Sequence, residues 1–453
     1  MDAMDNRYGI ASDVVPGSEA GAEAGAEARA EAEMSRAAPE SIQDLGLPWL
    51  FLGQLTLKHC FYMDVFTMGD LAERLKVSAS IISEVLDYLK KAKWVEVRGP
   101  DPMNPVVTAL SLANRHSLSD GGRRQAAQLL EYDAYTGPAP VVLNDYWRQV
   151  TSQSIGKVGV TPDDIQRALK GLVLSAEILE QLGVAAVSGQ PLFLYGPAGN
   201  GKTVISQRLG RIWEDEILVP YAIFVDGQVI QVFDEITHAH SEEADSGGER
   251  GDRRWVRCRR PVVTVGGELT LDMLDLAYKP TLKYFEAPLQ LKANNGVFIV
   301  DDFGRQHIPP QELLNRWIIP LENRQDFLRL RTGQKFAIPF DQFIVFATNL
   351  EPRSLVDDAF LRRLRSKVKV DYVTRTQFVE IFCLWCDQYH LEFNPEAVEY
   401  LLSRYYDDGQ RPLTACHPRD LLEQILDYCR FHQLPPRLTP ENLDRACHSY
   451  FVA

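Results

Sequence analysis

The apolar positions change period along the chain, and those changes divide it. Ile81, Ile82, Val85, Leu86 and Leu89 recur at the three-and-four spacing of a buried helix face. A shorter helix precedes them, opened by a capping box of Thr67 and Asp70 ahead of LAERLKV. WVEVRG then alternates at period two, GPDPMNP breaks it and VVTAL returns, which predicts a hairpin. From Thr161 a helical run, DIQRALKGLVLSAEILEQLG, leads to the apolar strand PLFLY, and strands alternate with helices to about residue 372. That is the pattern of an α/β fold with a parallel sheet. After Asp371 the strands stop. RTQFVEIFCLWCDQYH, PEAVEYLLSRYY, PRDLLEQILDYCRFH and PENLDRACHSYF have helical periodicity with proline punctuation, so a small all-α domain closes the sequence.

These shifts divide the chain into a tail (1–44), a helix-and-hairpin module (45–136), a linker containing GPAP (137–160), the α/β domain (161–372) and a helical lid (373–453). The tail alternates Ala, Glu and Gly without aromatics between Ser18 and Ala38 and cannot bury enough apolar area to offset ordering. Helix, turn, helix and hairpin in the second segment resemble a winged helix. Its second helix turns Ser80, Ser83, Glu84, Asp87, Lys90 and Lys91 outward, a face without net charge. That favours docking to protein over reading DNA, although DNA contact through this module stays open.

Composition alters this picture little. Of the formal charge of −14, half lies in the first 44 residues, where ten acids face three bases. Generic nucleic-acid affinity is disfavoured, while a local basic face is not. No apolar run approaches a membrane span and no secretory signal opens the chain, so a cytoplasmic protein without membrane insertion is expected. Seven irregularly spaced cysteines read as reduced thiols.

The strongest chemical signal is GPAGNGKT, residues 196–203, between the strand LFLY and the helical run VISQRLGRIW. It satisfies GxxxxGK[ST] in strand-to-helix context. Gly196, Gly199 and Gly201, with Pro197, Ala198 and Asn200, form a loop whose N–H groups can face phosphate oxygens at the positive end of a helix. Lys202 would reach the β and γ phosphates of ATP, and Thr203 would place its hydroxyl on Mg²⁺. A second apolar strand, GVFIV, ends in Asp301 and Asp302. It suits a neighbouring strand of the same sheet, with Asp301 holding Mg²⁺ through water and Asp302 polarising the attacking water.

With these motifs in order, residues 161–450 resemble the AAA+ ATPases. The resemblance implies that Asn349, ending FIVFATN, acts as the sensor-1 residue that positions water. It implies that DDAFLRRLRSKVKV supplies an arginine finger to a neighbouring subunit, with Arg363 the better match and Arg362 the second. HPRDLL resembles the sensor-2 motif, with Arg419 reaching the γ-phosphate. The family's usual Asp-Glu at the strand end is Asp-Asp here, so Asp302 is one methylene short and ATP binding is more secure than brisk hydrolysis. Within the family, LLNRWIIPLEN and a hairpin over DFLRLRTGQKFAIPFD, turning at Thr332 and Gly333, resemble the branch with a hairpin before sensor 1. MoxR-like chaperones and enhancer-binding activators belong there, but the activators' GAFTGA loop is absent. The resemblance implies a ring of like subunits, a hexamer, that remodels or assembles a protein or nucleoprotein partner. The alternative is an ATP-switched regulator whose winged helix binds DNA.

Other segments carry less. YAIFVDGQVIQVFD predicts a hairpin turning at Asp226 and Gly227, and SEEADSGGERGDRR a solvent-facing loop. Tyr284 and Phe285, in YKPTLKYFEAP, suit the tip of a channel-facing loop, or else the core. Cys383 and Cys386, with His390 beyond them, read as helix packing rather than zinc ligands, and His238 and His240 as solvated histidines.

Overall fold

The protein is described from a computed structural model, which covers residues 37–100, 114–240, 251–355, 362, 364–407 and 411–451. Its centre is a five-stranded, wholly parallel sheet ordered Ser366–Lys369, Leu192–Tyr195, Phe343–Thr348, Val297–Val300, Val262–Val265. Val297–Val300 and Phe343–Thr348 are buried at every position, as parallel strands covered on both faces must be. One face packs on Ile165, Leu182, Ile205 and Leu209 from the preceding helices. The other packs on Leu313, Leu314 and Trp317 of helix Pro310–Asn323. The fold is α/β, with a helical C-terminal region of its own core. The run after Thr161, expected as one helix, is two, Pro162–Ala168 and Ala176–Ser188, separated at Gly171 with φ +83°.

The four C-terminal segments are helical as expected: Arg375–Gln388, Pro395–Leu401 extended by a π turn to Asp407, His417–His432 and Pro440–Tyr450. Cys386 is buried in their shared core. The hairpin expected over DFLRLRTGQKFAIPFD is Gln325–Arg329 against Lys335–Pro339, with Gly333 at φ +86° in the connection.

A second sheet was not foreseen. Its order is Ala277–Lys279, Tyr284–Glu286, Gln228–Gln231, Ala222–Val225, Val141–Val142. The Asp226–Gly227 turn joins its central hairpin, both residues at positive φ as a two-residue turn of the primed type requires. Residues 137–160, expected to be a linker, are built in: Val141–Val142 pairs with this sheet, and helix Leu143–Ser152 buries Tyr146 and Val150 against it. Tyr146 and Val150 are four residues apart on one helical face, a signal too short to stand out beside GPAP.

The N-terminal module has helices Trp49–Phe61, Met68–Leu75 and Ala79–Lys91, then strand Val95–Pro100 pairing with Asn114–Leu118, then helix Asp120–Tyr132. The predicted capping box is present at Thr67 and Asp70. The returning strand is NRHSL rather than VVTAL, which lies outside the described residues, as do residues 1–36 and most of SEEADSGGERGDRR. HSL is therefore strand, and SDGGRR opens the last helix with Ser119 as its cap.

Two site expectations are corrected by this second sheet. Tyr284 and Phe285 are not a loop tip. Phe285 pairs with Ile230 and is 2% exposed in an apolar cluster, while Tyr284 stacks edge-on against Tyr135, ring centroids 5.4 Å apart. The adjacency of two aromatics between charges was strand alternation, with one ring on each face. His238 is buried rather than solvated, with Nδ1 accepting from the Asp234 N–H and Nε2 bonded to the Lys292 carbonyl.

Candidate functional site

All five parallel strands run their carboxyl ends to one edge, where α/β sheets bind ligands. The loop 196–203 leaves strand Leu192–Tyr195 there and enters helix Lys202–Leu209. Its glycines are required by the backbone. Gly196, Gly199 and Gly201 hold φ of +138°, +78° and +84°, and a Cβ on Gly196 would lie 2.1 Å from the Val370 carbonyl oxygen. Lys202 is buried, its ammonium donating to the carbonyls of Gly196 (2.9 Å) and Pro197 (2.8 Å). Burial pushes that ammonium below its ordinary value, and the carboxylates of Asp302 and Asp301 pull the other way. Thr203 is exposed in the first turn of the helix.

Asp301 and Asp302 end strand Val297–Val300, in the same sheet as the loop strand but not beside it: Phe343–Thr348 runs between them. That interposed strand delivers Asn349 to the acids, its Nδ2 donating to Asp302 Oδ1 at 3.2 Å. Asp302 sits at φ +48°, and its N–H donates to Asp301 Oδ1. The turn is tied to the sensor strand by the Phe303 N–H to the Ala347 carbonyl (2.7 Å) and Thr348 Oγ1 to the Phe303 carbonyl (2.6 Å). Gln306 closes it from the other side, Nε2 donating to the Asp301 carbonyl (2.9 Å) while Oε1 accepts from the Gly304 N–H (2.7 Å). The sequence reading missed both Thr348 and Gln306. A threonine in an apolar strand and a polar residue after a turn carry no motif.

The lid meets the loop directly. The Cys416 N–H donates to the Gly199 carbonyl (2.9 Å), and Asn200 Oδ1 accepts from the Ala415 N–H (3.0 Å). A Cβ on Gly199 would come 2.7 Å from both Cys416 Sγ and Thr414 Cγ2. Asn200, at 4% exposure, is thus a buried strut between phosphate loop and lid. Arg419, one turn into the lid helix, is held by its own helix: Nε and Nη2 donate to Asp420 Oδ1, with Glu423 3.8 Å away. Its expected reach to a γ-phosphate would require leaving these carboxylates. Arg362 is exposed, and Arg363 lies outside the described residues.

Residues 374–449, almost the whole lid, match a family model described as "Domain of unknown function (DUF8689)". No curated protein matches the chain by sequence. Among solved structures the chain is similar to Brucella abortus NtrX in complex with ATP at 15% identity, covering 73% of this chain and 64% of that one with a TM-score of 0.37. Domain III of the Thermotoga maritima replication initiation protein DnaA is also 15% identical, covering 65% of this chain and 100% of that one with a TM-score of 0.36. The Thermotoga maritima RuvB Holliday junction branch migration motor is 12% identical, covering 66% and 72% with a TM-score of 0.33. No helix among the described residues is long and apolar enough to cross a membrane.

Proposed function

We propose that the chain is an ATPase of the AAA+ type. The observation that carries this reading is the meeting, at one sheet edge, of the glycine loop and Lys202 with the Asp301–Asp302 turn and its Asn349 partner. Phosphoryl transfer needs charge neutralisation and water placement more than covalent chemistry, and these groups are of the right kinds for both. Lys202 leaves its two carbonyls to bind the β and γ phosphates, while the loop N–H groups and the helix end cradle them. Asp302 orients water, and Asn349 orients Asp302 and that water. The exposed Thr203 hydroxyl and the Asp301 carboxylate are hard oxygen donors that fit Mg²⁺ and would hold it. When bound, the metal neutralises charge on the β and γ phosphates. Arg419 and an arginine of the 362–363 pair complete the site, the latter across a ring interface. The ring, a hexamer, applies the cycle to a protein or nucleoprotein partner.

Fluorescent-nucleotide titration and steady-state hydrolysis test the reading together. Lys202→Ala is expected to lose binding, and Asp302→Asn to keep binding while losing hydrolysis. Parent-level hydrolysis by both variants would overturn it. Mixing Arg363→Ala with Lys202→Ala subunits tests the shared site, since rescue requires an arginine acting in trans.

A further inference from the structure

We propose that Gln306 is a positioning residue for Asp302, an inference that rests on the ATPase reading above. Asp302 occupies the left-handed region at φ +48°, where Asp and Asn are tolerated and longer side chains are rarer. This backbone accounts for the aspartate that replaces the expected glutamate. The turn swings the shorter side chain to Asn349, which a strand-like continuation would not do. Such a conformation persists only where surrounding contacts over-determine it.

Gln306 supplies two of those contacts. Its single carboxamide spans the residue it fixes, binding the Asp301 carbonyl before Asp302 and the Gly304 N–H after it. The Arg305 N–H to Asp302 carbonyl bond (3.0 Å) closes the same turn, and Gly304 follows at φ +105°, where a Cβ would lie 2.6 Å from Leu355 Cδ2. Thr348 Oγ1 anchors the Phe303 carbonyl on the opposite side. Released from Gln306, Asp302 can relax toward ordinary strand geometry, which carries its carboxylate away from Asn349 without disturbing the phosphate loop. Gln306 therefore governs the hydrolysis step and not nucleotide affinity.

Single-turnover hydrolysis and Mg²⁺-nucleotide titration of the full chain test this, using Gln306→Ala and Gln306→Glu in the parent and in Asp302→Asn. Gln306→Ala is expected to slow turnover about 10- to 100-fold, the usual cost of misplacing a catalytic group by about an ångström, with nucleotide affinity unchanged. Gln306→Glu keeps an acceptor for the Gly304 N–H but loses the donor to the Asp301 carbonyl, and falls between. On the slow residual single-turnover rate of Asp302→Asn, Gln306→Ala adds no further loss, because there is no carboxylate left to place. A merely structural role would add its full effect there. Parent-rate turnover in Gln306→Ala, or an undiminished loss in the Asp302→Asn background, overturns the inference. If Gln306→Ala does not fold, Gln306→Glu carries the same comparison. A parent chain without hydrolysis fails the ATPase reading itself, and this inference with it, whereas an active parent indifferent to Gln306 fails the inference alone.

Discussion

The two helical modules, one near each end of the chain, are fastened to the α/β core in different ways. The N-terminal module is joined by apolar area, hydrogen bonds and the ion pair of Arg253 with Glu73. Phe51 packs on Phe224 with centroids 4.4 Å apart, and the Ala134 N–H donates to the Leu282 carbonyl (3.1 Å). Arg253 binds Glu73 together with the Ala72 and Val77 carbonyls. All these contacts fall on the second sheet or the segments beside it. The C-terminal lid reaches the phosphate loop itself through the hydrogen bonds of Ala415 and Cys416. Burial of apolar surface is insensitive to small shifts, whereas two directional hydrogen bonds on a ligand loop are not. Nucleotide bound in the proposed site would therefore be felt first by the C-terminal helices and least by the N-terminal module.

The sharpest test of this contrast substitutes one glycine on each side. Gly199→Ala forces a side chain into the left-handed region and against Cys416 and Thr414, so nucleotide affinity is expected to fall about tenfold or more. Gly227→Ala, at φ +81° in the hairpin turn beside the N-terminal module, meets nothing within 4 Å. It should lower stability by about 1 kcal/mol and leave nucleotide affinity alone. Equal losses of affinity from the two would erase the distinction.

Phe51→Ala should weaken the N-terminal joint by about 2–3 kcal/mol in denaturant unfolding, again without altering nucleotide binding. A change in nucleotide affinity would show that this module communicates with the site. Asn200→Ala leaves the half-buried Ala415 N–H without its acceptor, at a cost of about 1 kcal/mol. Hydrogen exchange at Ala415 should quicken about tenfold, while exchange in helix Trp49–Phe61 stays at the parent rate.

The smallest expected difference lies in acid. Burial holds His59, in the N-terminal module, and His417, at the start of the lid helix, down at about 4. Both ordinarily titrate near 6.5 in an unfolded chain. Below that pH the unfolded chain binds more protons than the folded one, so this contribution is complete above about 6.5 and is lost as pH falls toward about 4. His417→Gln and His59→Gln should each flatten the acid limb of the unfolding profile. Only the lid variant should also flatten the pH dependence of nucleotide binding.

Much of this architecture was legible because it depends on local chemistry. The glycine loop needs positive φ at fixed positions, helices need caps and apolar faces, and a buried parallel strand needs a continuous apolar run, each of which is written in consecutive residues. The lid helices, the hairpin over DFLRLRTGQKFAIPFD and the Asp226–Gly227 turn follow from the same signals. The second sheet was illegible because its strands are short and come from three distant places, Val141–Val142 contributing only two residues. The same weakness misplaced Phe285, whose burial depends on Ile230 some fifty residues away.

By itself the sequence singled out the candidates for phosphate chemistry, Lys202, Thr203, Asp301, Asp302 and Asn349, each by type and by its place after a strand. Tertiary structure decided what each of them faces. Strand order set Phe343–Thr348 between the loop and the acids, so that Asn349 touches Asp302. Packing seated Ala415 and Cys416 on Asn200 and Gly199. Residue type fixes what a group can do, but the partners of a side chain are set by segments tens to hundreds of residues apart whose meeting no local pattern encodes.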